Sequence, residues 1–199
     1  MRTFLILAVA AVVGVLVVSQ ASYLLSLSQK QRVIATSSFP IVGEAAPSFD
    51  LPTLDGGRLR LADYSGRPVI LYFWTTWCSI CKREMPLLIE YHNTSAGPVP
   101  IVSICSGRNV ETAEEIVTQF GIPFPVGYDD DKRIAKQYQP QEEGVSRQIT
   151  AFPFAVVVDA DGRVIYALAG RFVTVDGLLE TLDRLELLDE ETSPVEGDA

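Results

Sequence analysis

Two cysteines separated by two residues, Cys78 and Cys81, are the residues of this 199-residue sequence whose type and spacing most directly indicate chemistry. They follow an apolar run typical of a buried strand and precede a helical pattern. A cysteine pair at such a junction is typical of a motif that cycles between a disulfide and two thiols. We therefore predict a redox-active Cys78–Cys81 disulfide.

The expected start of a helix at this point gives the two cysteines different roles. Unpaired N–H groups and the positive end of the helix dipole favour a thiolate over a thiol at Cys78, and only a thiolate attacks a disulfide. Cys81, one turn further along, is placed to attack the resulting mixed disulfide and release the partner. Lys82 and Arg83 add positive charge nearby.

A structural zinc site is the main alternative use of the cysteine pair. Such a site needs four ligands, and beyond the pair the sequence offers Cys105 and His92, with no second closely spaced pair. The ligand count favours redox chemistry, so we predict neither a metal nor another cofactor. We expect Cys105 to be a buried, inert thiol rather than a regulatory one, and His92 to pack rather than catalyse.

The amino terminus has the composition of a membrane segment. Residues 4–18 are an unbroken apolar run, which reaches Leu25 if a few polar residues are tolerated. This is close to the ~20 residues that a bilayer-spanning helix needs. We expect an uncleaved transmembrane anchor over residues 1–25; the alternative is a cleaved signal peptide with Ser19 and Ala21 before the cut. Both interpretations put the bulk of the protein outside the cytoplasm.

Composition divides the rest of the chain into three parts. We predict a polar tether over residues 26–43, one domain large enough for a core over 44–188, and an acidic disordered tail over 189–199. The net charge is −9, and Lys and Arg are not clustered. Nucleic acid is therefore not an expected partner.

The elements that must position the cysteines follow from hydrophobic periodicity. Alternating segments around Asp55-Gly56 predict a β-hairpin. Further strands are predicted at 68–74, 99–104, 154–158 and 163–167, with a weak strand and a short helix within 124–138. Helices are predicted after Cys81, after an Asn109 cap and after a Thr174 cap. The order predicts an α/β fold whose mixed central sheet, flanked by helices, is parallel first and antiparallel at its end.

Three segments of the sequence match a known pattern: VGEAAP at 42–47, FWTTWCSICK at 73–82 and FPFAVVVD at 152–159. On these segments the chain resembles the thioredoxin superfamily from about Val42 to Leu188. More narrowly, it resembles the membrane-anchored TlpA/ResA branch and the methylamine-utilisation accessory protein MauD. The first and third segments lean towards MauD, whereas Trp74 and Trp77 lean towards TlpA/ResA. The resemblance implies a thioredoxin-like fold and thiol-disulfide exchange.

The resemblance also implies roles for individual residues. It implies a cis peptide before Pro153, facing the cysteine pair, with Trp77, Phe152 and Pro153 contacting an extended client strand. It further implies that Glu84 assists proton transfer at the thiols; the alternative, an ordinary exposed helix residue, stays open. Tyr72 stands where cytoplasmic thioredoxins have a buried Asp, which raises the importance of Glu84 or of water.

Two related protein classes fit the sequence less well. A peroxidase of the peroxiredoxin type would have a Pro where Leu71 stands, and it would have no counterpart of Cys81. A copper chaperone of related fold would have three residues between its cysteines and a dedicated His. Neither pattern is present in the sequence.

The hypothesis that results is an extracytoplasmic thiol-disulfide oxidoreductase with client proteins that carry cysteines or disulfides and with a membrane redox partner. TlpA/ResA resemblance favours cytochrome c biogenesis, and MauD resemblance favours a methylamine dehydrogenase type of client. The alternative is a membrane-tethered assembly factor that holds one client without turnover. Ser79-Ile80 between the cysteines matches no familiar redox pair, so the direction of electron flow stays open.

Overall fold

The computed structural model describes residues 41–94, 99–139, 152–170 and 174–187. The predicted anchor, residues 26–40 of the predicted tether and the predicted acidic tail lie outside these ranges. Within the ranges, no helix combines the length and the apolar character that crossing a bilayer requires.

The order of elements in the described ranges agrees with the order predicted from the sequence. The strands are β1 (Asp50–Pro52), β2 (Arg58–Arg60), β3 (Val69–Trp74), β4 (Ile101–Ser106), β5 (Val126–Asp129), β6 (Phe154–Val158) and β7 (Val164–Ala169). The helices are α1 (Ser79–Asn93), α2 (Val110–Phe120), α3 (Arg133–Tyr138) and α4 (Val175–Arg184), and a short 3-10 turn spans Leu61–Tyr64. Both predicted caps are present: Asn109 accepts the Thr112 N–H, and Thr174 accepts the Gly177 N–H.

The central strand of the main sheet is β3. Five strands have the order β5-β4-β3-β6-β7. The β3–β4 and β4–β5 pairs are parallel, whereas the β3–β6 and β6–β7 pairs are antiparallel. Every residue of β3 is buried, as a strand covered on both faces must be. The predicted thioredoxin-like architecture with a mixed sheet is confirmed.

Two apolar layers cover the sheet, because successive side chains of a strand point to opposite faces. Ile70, Tyr72 and Trp74 pack with residues of α1, α2 and α4 on one face. Leu71 and Phe73 pack with α3 and with the β1–β2 hairpin on the other face. The cysteine pair belongs to the first layer, so the start of α1 packs against β3.

The segment before the hairpin also packs on the main sheet. The Gly43 N–H donates to the Val164 carbonyl at 2.7 Å, and the Ala46 N–H donates to the Gly162 carbonyl at 2.8 Å. Gly43 is the last residue of the predicted tether. The described fold therefore begins before residue 44.

Candidate active site

The end of β3 leads directly to the cysteine pair at the start of α1. Cys78 is the N-cap residue of that helix, and its N–H donates to the Thr75 carbonyl at 3.2 Å. The sulfurs of Cys78 and Cys81 are bonded, so the predicted disulfide is present. The Cys81 N–H donates to Cys78 Sγ at 3.0 Å. A helix-start N–H thus already points at the Cys78 sulfur, an arrangement that favours a thiolate at this position once the disulfide is reduced.

The two sulfur residues differ from their neighbours in exposure. Cys78 is 4% exposed and Cys81 is fully buried, whereas Trp77 and Ile80 are 64% and 39% exposed. Of the two cysteines, Cys78 is therefore the one that reaches the surface. This difference supports Cys78 as the attacking cysteine and Cys81 as the resolving one.

The predicted client-binding residues come together from two loops. The Phe152–Pro153 peptide is cis, as the resemblance implied. The rings of Trp77 and Phe152 meet edge to face with their centroids 6.2 Å apart, a favourable aromatic geometry. Pro153 is buried, and its carbonyl accepts the Gly170 N–H at 2.9 Å. The structure thus brings the loop before α1 and the loop before β6 into contact beside the cysteines.

Glu84 is buried, so its alternative interpretation as an exposed helix residue is wrong. Its side chain is 3% exposed, one helical turn after Cys81. The Tyr72 hydroxyl donates to Glu84 Oε2 at 2.8 Å. Burial, followed by the charge of Glu84, raises the pKa of Tyr72 far above its usual range, so Tyr72 keeps its proton. Sequence reasoning treated Tyr72 as the replacement of an acid, which made Glu84 more important, but it did not predict the hydrogen bond between the two residues.

Lys132 is a residue at the site that sequence reasoning missed. Its Nζ lies 5.6 Å from the centroid of the Trp77 ring and 6.0 Å from that of Phe152. A groove of ≈ 830 Å³ opens beside Trp77, and Lys132 and Arg108 are among its lining residues. A signal was present in the sequence, because Lys132 follows a predicted parallel strand, and such strand ends meet at one edge of a sheet.

Cys105 and His92 take the structural roles predicted for them. Cys105 is a free, fully buried thiol, and burial, with the charge of Asp129, raises its pKa to about 12. The His92 ring packs against Phe124, with centroids 5.7 Å apart. Among the residues that the structure describes, no group of three or more His, Cys, Asp or Glu side chains could hold a metal ion.

Comparison with known proteins identifies the family to which this chain belongs. The profile of the AhpC/TSA family matches residues 42–167. The thiol-disulfide oxidoreductase ResA of Bacillus thuringiensis is 32% identical over 130 residues, which are 65% of this chain and 70% of ResA. ResA of Geobacillus thermodenitrificans is 34% identical over 136 residues, which are 68% of this chain and 73% of that protein.

Solved structures share the fold. A protein of Chlorobium tepidum described as a thiol:disulfide interchange protein DsbE superposes with a TM-score of 0.60 at 23% identity, over 72% of this chain and 96% of the other. A secreted Mycobacterium tuberculosis disulfide oxidoreductase, homologous to Escherichia coli DsbE, gives 0.53 at 26% identity, over 70% and 96%. The family profile, the ResA relatives and the bonded cysteine pair agree. The chain belongs to the AhpC/TSA family and is a thioredoxin-like thiol-disulfide oxidoreductase of the ResA/DsbE type.

Proposed function

We propose that this protein exchanges disulfides with client polypeptides outside the cytoplasm during the maturation of redox proteins. The observation that carries the proposal is the Cys78 sulfur, which caps α1 and accepts the Cys81 N–H at 3.0 Å. The apolar run at residues 4–18 supports a place outside the cytoplasm, as does a relative described as secreted. The client classes, apocytochrome c or a methylamine dehydrogenase subunit, follow from the sequence resemblance.

The exchange takes place in two steps when a client is reduced. The Cys78 thiolate attacks a client disulfide, so that a bond forms between Cys78 and one client sulfur while the other leaves as a thiolate. Cys81 gives its proton to Glu84 and attacks Cys78. The Cys78–Cys81 bond forms, the bond to the client breaks, and the released client thiolate takes up a proton. Two electrons pass to the client, and a membrane redox partner then restores the dithiol.

We propose that the client binds to the surface around Cys78. Trp77 offers an exposed apolar ring, and Phe152 packs against it from the loop that contains the cis peptide. We assign Trp77 and Phe152, together with the Phe152–Pro153 backbone, to contacts with an extended client segment. Trp77→Ala should raise KM more than it lowers kcat, because Trp77 binds the client but takes no part in bond exchange.

Two single substitutions test the assignment of the cysteines. In Cys81→Ser the mixed disulfide at Cys78 cannot be resolved, so a covalent client adduct should accumulate. Cys78→Ser should form no adduct with the buried Cys81. Electrophoresis without reductant, followed by mass spectrometry of the adduct, distinguishes the two. Equal adduct formation through either cysteine would contradict the proposal.

The reduction potential of the Cys78/Cys81 pair decides the direction of the reaction. A value near that of thioredoxin, about −270 mV, indicates a reductant of client disulfides. A value near about −120 mV indicates an oxidant. The potential is measured by equilibrating the full chain with glutathione buffers and trapping free thiols.

An assembly factor without turnover is the second candidate function, and the exposed Trp77 ring favours it because that ring can bind a client without chemistry. The double variant Cys78→Ser/Cys81→Ser separates the two candidates. Loss of client maturation supports disulfide exchange. Full maturation in that variant would support a binding role and overturn exchange as the function.

A further inference from the structure

A buried hydrogen bond joins β3 and α1 behind the cysteine pair. The Tyr72 hydroxyl donates to Glu84 Oε2 at 2.8 Å, and the two residues are 0% and 3% exposed. Tyr72 lies in the middle of β3, beside Ser103 of β4 and Ala155 of β6. Two groups that can each hold a proton thus meet within the apolar layer that also contains the resolving cysteine.

The position of Glu84 on α1 relates it to Cys81. Residues three apart on a helix are neighbours on its surface, and both Glu84 and Cys81 belong to the buried face of α1. Burial works against an ionised carboxylate, whereas a hydrogen bond donated to the ionised form works for it. The Tyr72 hydroxyl is the donor in this pair, and its raised pKa keeps the proton on Tyr72.

We infer that Tyr72 is a positioning residue for the resolving step: its hydroxyl orients the Glu84 carboxylate and keeps it ionised, ready to take the Cys81 proton. This inference rests on the proposed function, in which Glu84 is the base. In the step, the S–H bond of Cys81 breaks and an O–H bond forms on Glu84, while Tyr72 keeps its own proton. The thiolate that results attacks Cys78.

Other ionisable groups on the elements around Glu84 are placed differently. Cys105 at the end of β4 is neutral at ordinary pH, because its pKa is raised to about 12. The charged residues of α4, which packs against α1, are all exposed: Asp176, Glu180, Asp183 and Arg184. On α1 itself, Lys82 is half-buried and Arg83 is exposed. The Tyr72 hydroxyl, in contrast, bonds directly to the Glu84 carboxylate.

Stopped-flow reaction of the reduced full chain with an aromatic disulfide, dithiobis(nitrobenzoate), tests the inference. The first coloured thiolate is released when Cys78 attacks, and the second when Cys81 resolves the adduct. Tyr72→Phe should move the acid limb of the pH–rate profile of the second phase by about one pH unit to higher pH. At the foot of that limb, this shift makes the second phase about tenfold slower. The profile of the first phase should not change.

Three further variants separate a positioning role from a merely structural one. Tyr91→Phe removes a buried hydroxyl on α1 that bonds to the Val99 backbone, and both profiles should stay unchanged. Glu84→Gln should slow the second phase at pH values above the acid limb, where Glu84 is ionised and acts as the base. The double variant Tyr72→Phe/Glu84→Gln should match Glu84→Gln alone, because Tyr72 acts through Glu84.

The outcomes distinguish failure of this inference from failure of the proposed function. An unshifted second phase in Tyr72→Phe, or an additional loss in the double variant, would overturn the positioning role while leaving Glu84 as the base. An unchanged second phase in Glu84→Gln would overturn the base itself. Thermal unfolding of each variant verifies that the chain under test is folded.

Discussion

The Lys132 ammonium lies 5.6 Å from the centre of the ring of Trp77, one of the residues that we propose bind the client. The two residues come from different loops, and Lys132 holds a left-handed backbone conformation with φ 60°. A left-handed conformation costs free energy for a residue other than glycine. The fold thus tolerates backbone strain at the position that brings a cation to the exposed ring beside Cys78.

Lys132→Ala should weaken client binding, because Trp77 loses a contact that orients its ring. A cation–π contact at an exposed site contributes roughly 0.5–1 kcal/mol, so KM for a disulfide-containing peptide should rise about two- to fivefold with kcat nearly constant. Steady-state reduction of a fluorogenic disulfide peptide measures both constants. Arg133→Ala, which removes the exposed neighbouring cation, is the matched control; an equal rise in KM there would point to general charge instead.

Cys105 should resist alkylation in the folded, reduced protein. Its pKa is raised to about 12 by burial and by the charge of Asp129, so the reactive thiolate is scarce until the pH approaches that value. Iodoacetamide near neutral pH should therefore label Cys78 first and leave Cys105 unmodified, as peptide mass spectrometry can show. Denaturant should make Cys105 reactive. Rapid labelling of Cys105 without denaturant would show that its environment opens in solution.

Asp129 should be important for stability, because it joins β4 to α3. It is 2% exposed and accepts hydrogen bonds from the Ser106 hydroxyl and from the N–H groups of Ile134 and Ala135. Asp129→Ala leaves those buried donors without a partner and should lower the free energy of unfolding by roughly 3 kcal/mol. Urea titration followed by circular dichroism measures the loss.

Asp130→Ala is the control for that substitution. Asp130 is exposed, and a surface change usually stays within about 0.5 kcal/mol. Similar losses at the two positions would mean that the buried hydrogen bonds of Asp129 contribute little.

Gly127→Ala should destabilise the contact between β5 and the hairpin. A Cβ at this position would lie 2.9 Å from Leu59 Cδ2 and 3.3 Å from Leu51 Cδ1. Overpacking of this kind costs roughly 1–3 kcal/mol. Adding Leu59→Ala makes room for the new methyl group, so the double variant should lose less stability than the sum of the single losses. Strictly additive losses in urea titrations would mean that the two positions are not coupled.

Local signals in the sequence were sufficient for much of the fold and for the centre of the site. The cysteine pair, the apolar run of β3 and the caps Asn109 and Thr174 are each recognised within a few residues. Tyr72 and Glu84 were both noticed, but their hydrogen bond depends on how α1 packs on β3, which no local pattern encodes. The contact of Lys132 with Trp77 likewise requires two loops to meet in space. The cis peptide came from resemblance, because most X–Pro bonds are trans.

The near-complete shielding of Cys78, 4% exposed beside a ring that is 64% exposed, has a consequence for which molecules can react. An incoming sulfur has to approach along a narrow range of directions for in-line displacement, so a client protein is expected to present its disulfide on a flexible segment. A disulfide in the interior of a folded protein cannot approach Cys78 from these directions. We therefore expect disulfides on flexible segments, and small-molecule disulfides, to react at Cys78, and disulfides buried in a folded protein to be excluded by steric hindrance.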